Sequence, residues 1–114
     1  MLVEQLELAF SEKSLRDLCE SQIKAERALG IGIATTLRAR LADLRDARCV
    51  HEIVAGPPKI LKEEPPGRVA IPIGEGRFLS FCANHSSVPK HASGRVNWSR
   101  VTRVKILEIG GLDG

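Results

Sequence analysis

The stretch Val101-Thr-Arg-Val-Lys-Ile-Leu-Glu-Ile109 constrains this chain more than any other. Its β-branched and leucine residues, with charges set between them, suit a pleated surface and spell a strand. A period of two puts Arg103, Lys105, Leu107 and Ile109 on one face and Thr102, Val104, Ile106 and Glu108 on the other. Both faces carry apolar residues, which predicts a strand inside a sheet with its charges near one end. Trp98, the only tryptophan, stands just ahead of it and reads as a packing anchor.

The rest of the chain supplies partners for that strand. Leu6-Glu-Leu-Ala-Phe10 alternates and predicts a first strand. Ser11 is placed to cap a helix from Glu12 to about Leu29, with Leu15, Leu18, Cys19 and Ile23 at helical spacing and Glu12 in the first turn. Gly30-Ile31-Gly32 breaks it. A second helix follows from about Ile33 to Ala47, with Ile33, Leu37, Leu41 and Leu44 as its apolar stripe and Arg38, Arg40, Arg45 and Arg48 on a solvated face. Gly56-Pro57-Pro58 ends the segment after it. Lys59 to Lys62 is a short strand candidate, Glu63 to Gly67 a turn, and Arg68 to Ile73 a strand in which Pro72 predicts an edge or a bulge. Gly74-Glu75-Gly76 is a tight reversal, and Arg77 to Ala83 a strand with Phe78 and Ser80 on one face and Arg77, Leu79 and Phe81 on the other. Asn84 to Asn97 is a polar loop. The order β-α-α-β-β-β-β predicts an α+β domain. In it the N-terminal strand joins a mostly antiparallel four- to five-stranded sheet, and a helical hairpin packs on one face.

Size and charge bound the classes. A chain of 114 residues with 43% hydrophobic and 27% charged residues makes one domain, residues 1–114, with a core. No apolar run approaches the roughly 20 residues of a membrane helix, and no secretory leader is apparent, which together predict a cytoplasmic protein away from membranes. Three scattered cysteines, Cys19, Cys49 and Cys82, point to free thiols in a reducing compartment. Residues 1–58 hold eight Lys and Arg against nine Asp and Glu, whereas residues 59–114 hold nine against five. The basic half is the strand-rich half. A phosphate-bearing partner on the sheet is one reading of that asymmetry, and solubility is the other.

Three stretches resemble a known family: Phe10-Ser-Glu-Lys-Ser-Leu-Arg-Asp-Leu-Cys19, Leu37-Arg-Ala-Arg-Leu-Ala-Asp-Leu-Arg-Asp-Ala47 and Gly94-Arg-Val-Asn-Trp-Ser-Arg-Val-Thr-Arg-Val-Lys-Ile-Leu-Glu-Ile109. They are similar to the RelE/ParE superfamily of bacterial toxins, and within it to the HigB-like plasmid maintenance killer proteins, whose last strand follows a Gly, then Asp-Trp, then Val-Thr-x-Val-x-Ile-Leu-Glu-Ile. The resemblance spans nearly the full length. It implies a RelE-like fold and a metal-independent, cofactor-free mRNA endoribonuclease that works in the ribosomal decoding site and is silenced by a cognate antitoxin. ParE-like members instead poison gyrase. Oligomeric state does not follow from it.

Cleavage of RNA by its own 2′-hydroxyl needs positive charge where the phosphorane oxygens become negative, a task for Arg and Lys. The resemblance aligns Arg77 with the arginine that opens the penultimate strand in the family and so implies transition-state stabilisation there. Arg68 and Lys59 are the next candidates for holding phosphate, and Lys62, Arg103 and Lys105 extend the RNA-binding set. Each also reads as a solvated strand-end charge. The family tail ends Asp-Tyr-His-like, whereas this chain ends Gly110-Gly-Leu-Asp-Gly114, with Leu112 for the Tyr and Asp113 for the His. Asp113 is a replacement acid or base whose unperturbed pKa of about 4 suits neutral pH poorly. His51, His85 and His91 are alternatives or inert surface groups. Cys82-x-x-His85 with His91, and Cys49-x-His51, are too loosely spaced to predict a metal site. A chain that keeps the fold and binds antitoxin or RNA without cleaving is the competing expectation.

Overall fold

A computed structural model of the chain describes residues 5–53 and 57–111. Its strands are β1 (Glu7–Phe10), β2 (Lys59–Lys62), β3 (Arg68–Gly74), β4 (Arg77–Ala83) and β5 (Arg103–Gly111), and its helices are α1 (Lys13–Glu20), α2 (Gln22–Leu29) and α3 (Ile31–Asp46). The strands form one five-stranded sheet in the order β1-β5-β4-β3-β2. β1 pairs with β5 in parallel and the other pairs are antiparallel, so the α+β sheet is mixed. β5 lies inside it, as its two apolar faces predict.

The helices cover one face only. Leu37, Leu41 and Leu44 of α3 are fully buried and join Val69, Ile71, Leu79, Phe81, Val104 and Ile106 of the sheet in one core. Burying each such side chain contributes about 1.5–3 kcal/mol, which is why the helical stripe and the alternating strands fix each other's orientation. Trp98, in a one-turn 3-10 helix at Trp98–Arg100, meets the Phe81 ring edge to face at 6.4 Å and is buried, the anchoring role its position predicts.

Several details differ from the sequence reading. The helix expected over Glu12 to Leu29 is two helices, because Ser21 adopts an extended conformation and its side chain accepts from the Lys24 N–H to cap α2. Ile23 is consequently turned outward and is 62% exposed. Ser11 does not cap α1. Glu12 is the N-cap without a side-chain bond, and Ser11 Oγ instead donates to the Leu107 carbonyl at 3.0 Å. The helix break narrows to Gly30, and α3 starts at Ile31 rather than Ile33. Pro72 does sit next to a bulge, where the β3–β4 register shifts between Pro72 and Gly74. β2 reaches only to Ala70, so the missing Pro72 N–H costs no ladder bond on that side.

A second bulge matters most. The β4–β5 register passes from Ser80 opposite Glu108 to Phe81 opposite Ile106, which leaves Leu107 as the extra residue. A bulge resets the two-residue alternation. Val104, Ile106 and Ile109 therefore face the helices, and Glu108 leaves the face predicted for it and joins Lys105 on the open face.

Candidate functional site

The open face of the sheet is built by alternation from β2 to β5, with a register shift between Ile60 and Lys62 that makes Leu61 an extra residue of β2 and brings Lys62 opposite Arg68. On it stand Lys59 and Lys62, Arg68, Ser80 and Cys82, and Arg103, Lys105 and Glu108, with Phe78 toward one end. Val69 opposite Phe81 puts Arg68 opposite Cys82. Lys105 pairs with Cys82 on the other side, and Lys62 with Arg68. One rung across four strands thus reads Lys105, Cys82, Arg68, Lys62. Adjacent strands are about 4.8 Å apart, so the three cations lie in a row of roughly 15 Å at right angles to the strands. Arg103 and Lys59 flank that row.

Arg68 is the centre of the site. Its Nη2 donates to Ser80 Oγ at 3.2 Å and pairs with the Glu108 carboxylate across β4. Its Nε is buried without a hydrogen-bond partner among the described residues. The arginine and the glutamate are 38% and 59% exposed, so water screens the pair and it is worth at most about 1 kcal/mol. Such a pair yields readily to an incoming anion. A cavity of about 120 Å³ lies beside it, lined among others by Lys59, Leu61, Arg68, Phe78, Glu108 and Gly110.

Cys82 lies buried under the row. Burial pushes its thiol up, against the pull of Lys105 and Arg68, so at neutral pH it is a protonated packing group. Arg103 forms an ion pair with Glu7 of β1 at 3.1 Å. His85 is a structural group: its Nε2 accepts from the Thr102 and Arg103 amides at 3.1 and 3.2 Å where the chain enters β5. That arrangement puts the ring proton on Nδ1. His51 and His91 are exposed and outside the open face. Among the described residues no three His, Cys, Asp or Glu side chains gather as a metal site requires.

The predicted residues separate into two groups. Arg68, Lys59, Lys62, Arg103 and Lys105 share the open face. Arg77 does not join them. It opens β4 between Gly74 and Gly111, on the side of the strand that Leu79 and Phe81 turn toward the helices. Cys82 is five positions further along β4, roughly 17 Å at a strand's rise, so Arg77 and Arg68 cannot hold one phosphate together. Asp113 lies outside the described residues. Glu108, Phe78 and Ser80 belong to the site but were not picked out by sequence. Phe78 and Ser80 shared a predicted face, which was the available signal, whereas nothing in a linear pattern marks the bulge that redirects Glu108. Among the described residues no helix is long and apolar enough to cross a membrane. Comparison of the chain with protein-family models, with curated proteins and with solved structures finds no match.

Proposed function

We propose that this chain is a RelE-fold toxin of the HigB-like kind, a cytoplasmic protein without a cofactor that binds mRNA on the ribosome through the open face of its sheet and is held inactive by an antitoxin. The observation that carries the reading is the row of Lys105, Arg68 and Lys62 across the strands, flanked by Arg103 and Lys59. A line of cations at that spacing fits the successive phosphates of a single strand better than one small anion. In cleavage, Arg68 leaves Glu108 and places its guanidinium on the scissile phosphate, where charge builds up in the transition state. The ribosome supplies substrate positioning that a shallow face cannot, an effect on the order of ~7 kcal/mol or more when geometry is ideal.

A second reading is favoured by the distance between Arg77 and Arg68: the chain binds RNA or antitoxin but does not cut. Primer extension on mRNA after a short induction separates the two. Cuts within translated codons that vanish in Arg68→Ala and persist in Arg77→Ala support cleavage centred on the open face. Loss in Arg77→Ala alone would move the chemistry to the far end of β4. Intact message with growth arrest would leave binding without cleavage.

A further inference from the structure

The cavity on the open face has a composition that phosphate contacts do not require. Backbone phosphates call for cations, yet this cavity also presents an aromatic side, a carboxylate and a glycine. Phe78 is half-buried, and its cross-strand neighbours are Gly110 on β5 and Pro72 on β3. With no side chain at position 110, one flank of the Phe78 ring is left uncovered. The Glu108 carboxylate leans along β5 over that same glycine. A Cβ built on Gly110 would lie 3.7 Å from Glu108 Cδ and 3.8 Å from its Oε2. Arg68 takes one acceptor site of Oε1, which leaves Oε2 and the second lone pair of Oε1 to accept from a ligand. At about 120 Å³ the cavity is smaller than the roughly 150 Å³ interior cavity that holds a benzene, so a base would lie partly in it with one face open to water.

We propose that this cavity takes the base of a guanosine nucleotide, with the ring against Phe78 and Glu108 accepting from the N1–H and the exocyclic N2 amino group. An ionised glutamate is acceptor-only. Guanine alone among the four RNA bases presents two adjacent donors on its pairing edge. Uracil has one N–H between two carbonyls. Adenine and cytosine set a ring-nitrogen acceptor beside their amino group, and that acceptor would face the carboxylate. Stacking on an aromatic side chain with hydrogen bonds to the pairing edge is a general way to read an unpaired base. Before RNA binds, Arg68 holds Glu108 in place over Gly110, and when Arg68 turns to a phosphate the carboxylate is free to take both guanine donors. This assignment rests on the RNA-binding reading above and adds selectivity for one base to it.

The test is fluorescence anisotropy with short uridine oligomers that carry a single central guanosine, adenosine or cytidine, or none, titrated with the full chain and competed with guanosine monophosphate. The guanosine oligomer is expected to bind roughly tenfold tighter than the other three, since a good bidentate base contact discriminates by about that much. Glu108→Gln and Gly110→Val should each abolish the preference while the uridine oligomer still binds, with circular dichroism confirming the fold. The Gly110 backbone lies in a strand and its Cβ would meet only ordinary contacts, so Gly110→Val fills the cavity without opening the sheet. Weak competition by the free monophosphate places the guanine within a chain, and equal competition makes this a free-nucleotide site. Equal binding of all four oligomers overturns the proposal. So does a Glu108→Gln protein that binds all four more tightly and keeps the guanosine preference, because Glu108 would then only compete with phosphates for Arg68. Failure of every oligomer, with guanosine monophosphate still bound over the adenosine, cytidine and uridine monophosphates, would sink the RNA reading and keep the pocket.

Discussion

A Cβ added to Gly67 would lie 2.5 Å from Cζ2 of Trp98 and 3.0 Å from a Val96 methyl, so the turn before β3 closes directly onto the buried indole. Gly67 also sits at φ +75, a region that costs other residues about 1–2 kcal/mol. Gly67→Ala should therefore destabilise the fold by about 2–4 kcal/mol, combining backbone strain with overpacking. Gly76 in the β3–β4 turn has nearly the same φ, +73, but open space around it. Gly76→Ala should cost only the backbone part, about 1–2 kcal/mol. Urea unfolding followed by the fluorescence of the single tryptophan measures both, and equal losses would show that contact with Trp98 contributes nothing.

The elements that could be read from sequence are those whose pattern is local. Leu37, Leu41 and Leu44 repeat at helical spacing and are buried along α3, and the alternation through Phe78 to Phe81 assigns the faces of β4 correctly. What could not be read depends on partners. Ser21 breaks a helix that hydrophobic spacing alone carries through. Leu107 bulges because β4 and β5 pair with unequal counts, and that one extra residue moves Glu108 to the face where Arg68 waits. Arg77 and Arg68 lie nine positions apart in sequence, and only the hairpin register reveals that they occupy opposite faces and ends. The cationic residues were found because charge composition is visible in a linear chain. Their alignment on one rung is a property of the sheet.

Ser21 ends one helix and starts the next, and its Oγ satisfies an amide that would otherwise be free at the start of α2. Ser21→Ala should lower stability by about 1 kcal/mol, and Ser21→Asp should keep most of it, because an aspartate caps equally well and also suits the helix dipole. Thermal melts by circular dichroism decide this. Equal melting of the serine and alanine proteins would mean that the extended backbone at Ser21 is set by tertiary packing alone.

Phe81 is fully buried and meets Trp98 edge to face at an interplanar angle of 89°. Phe81→Ala removes both packing and the aromatic pair and should cost about 3–5 kcal/mol, whereas Phe81→Leu, which keeps most of the volume, should cost much less. In both variants the Trp98 emission should change before unfolding, since its ring loses its neighbour. Unchanged native emission in Phe81→Leu would argue that the indole is held by Gly67 and Val96 alone.

Burial pushes the Cys19 thiol up to about 11 from 9.0, with Glu20 adding to the rise and Arg45 opposing it. The native state then holds the thiol proton more tightly than the unfolded chain does. Its contribution to stability is fully present below pH 9 and is lost as the pH rises through 11. Between those limits the wild type should lose stability faster than Cys19→Ala, by an amount on the order of 1–3 kcal/mol. The difference between the two proteins isolates this group from the lysines that titrate in the same range. Alkylation at pH 8 should reach Cys49, which is partly exposed, well before the buried Cys19 and Cys82.

The open face makes one further demand on binding, and salt reads it out. If Lys105, Arg68 and Lys62 each neutralise a phosphate of a single strand, every one lost should flatten the dependence of log affinity on log salt by roughly 0.7. Lys105→Ala and Lys62→Ala should each do so, weaken binding of any sequence to a similar degree, and leave stability within about 0.5 kcal/mol because neither side chain is deeply buried. Arg45→Ala provides the contrast, since α3 lies on the covered side of the sheet and its exposed arginine faces away from the row. A double variant of Lys105 and Lys62 should flatten the slope by about twice the single amount. If Arg45→Ala flattens it as much as either lysine, the attraction is a diffuse consequence of net charge, and the alignment of cations on one rung has no part in recognition.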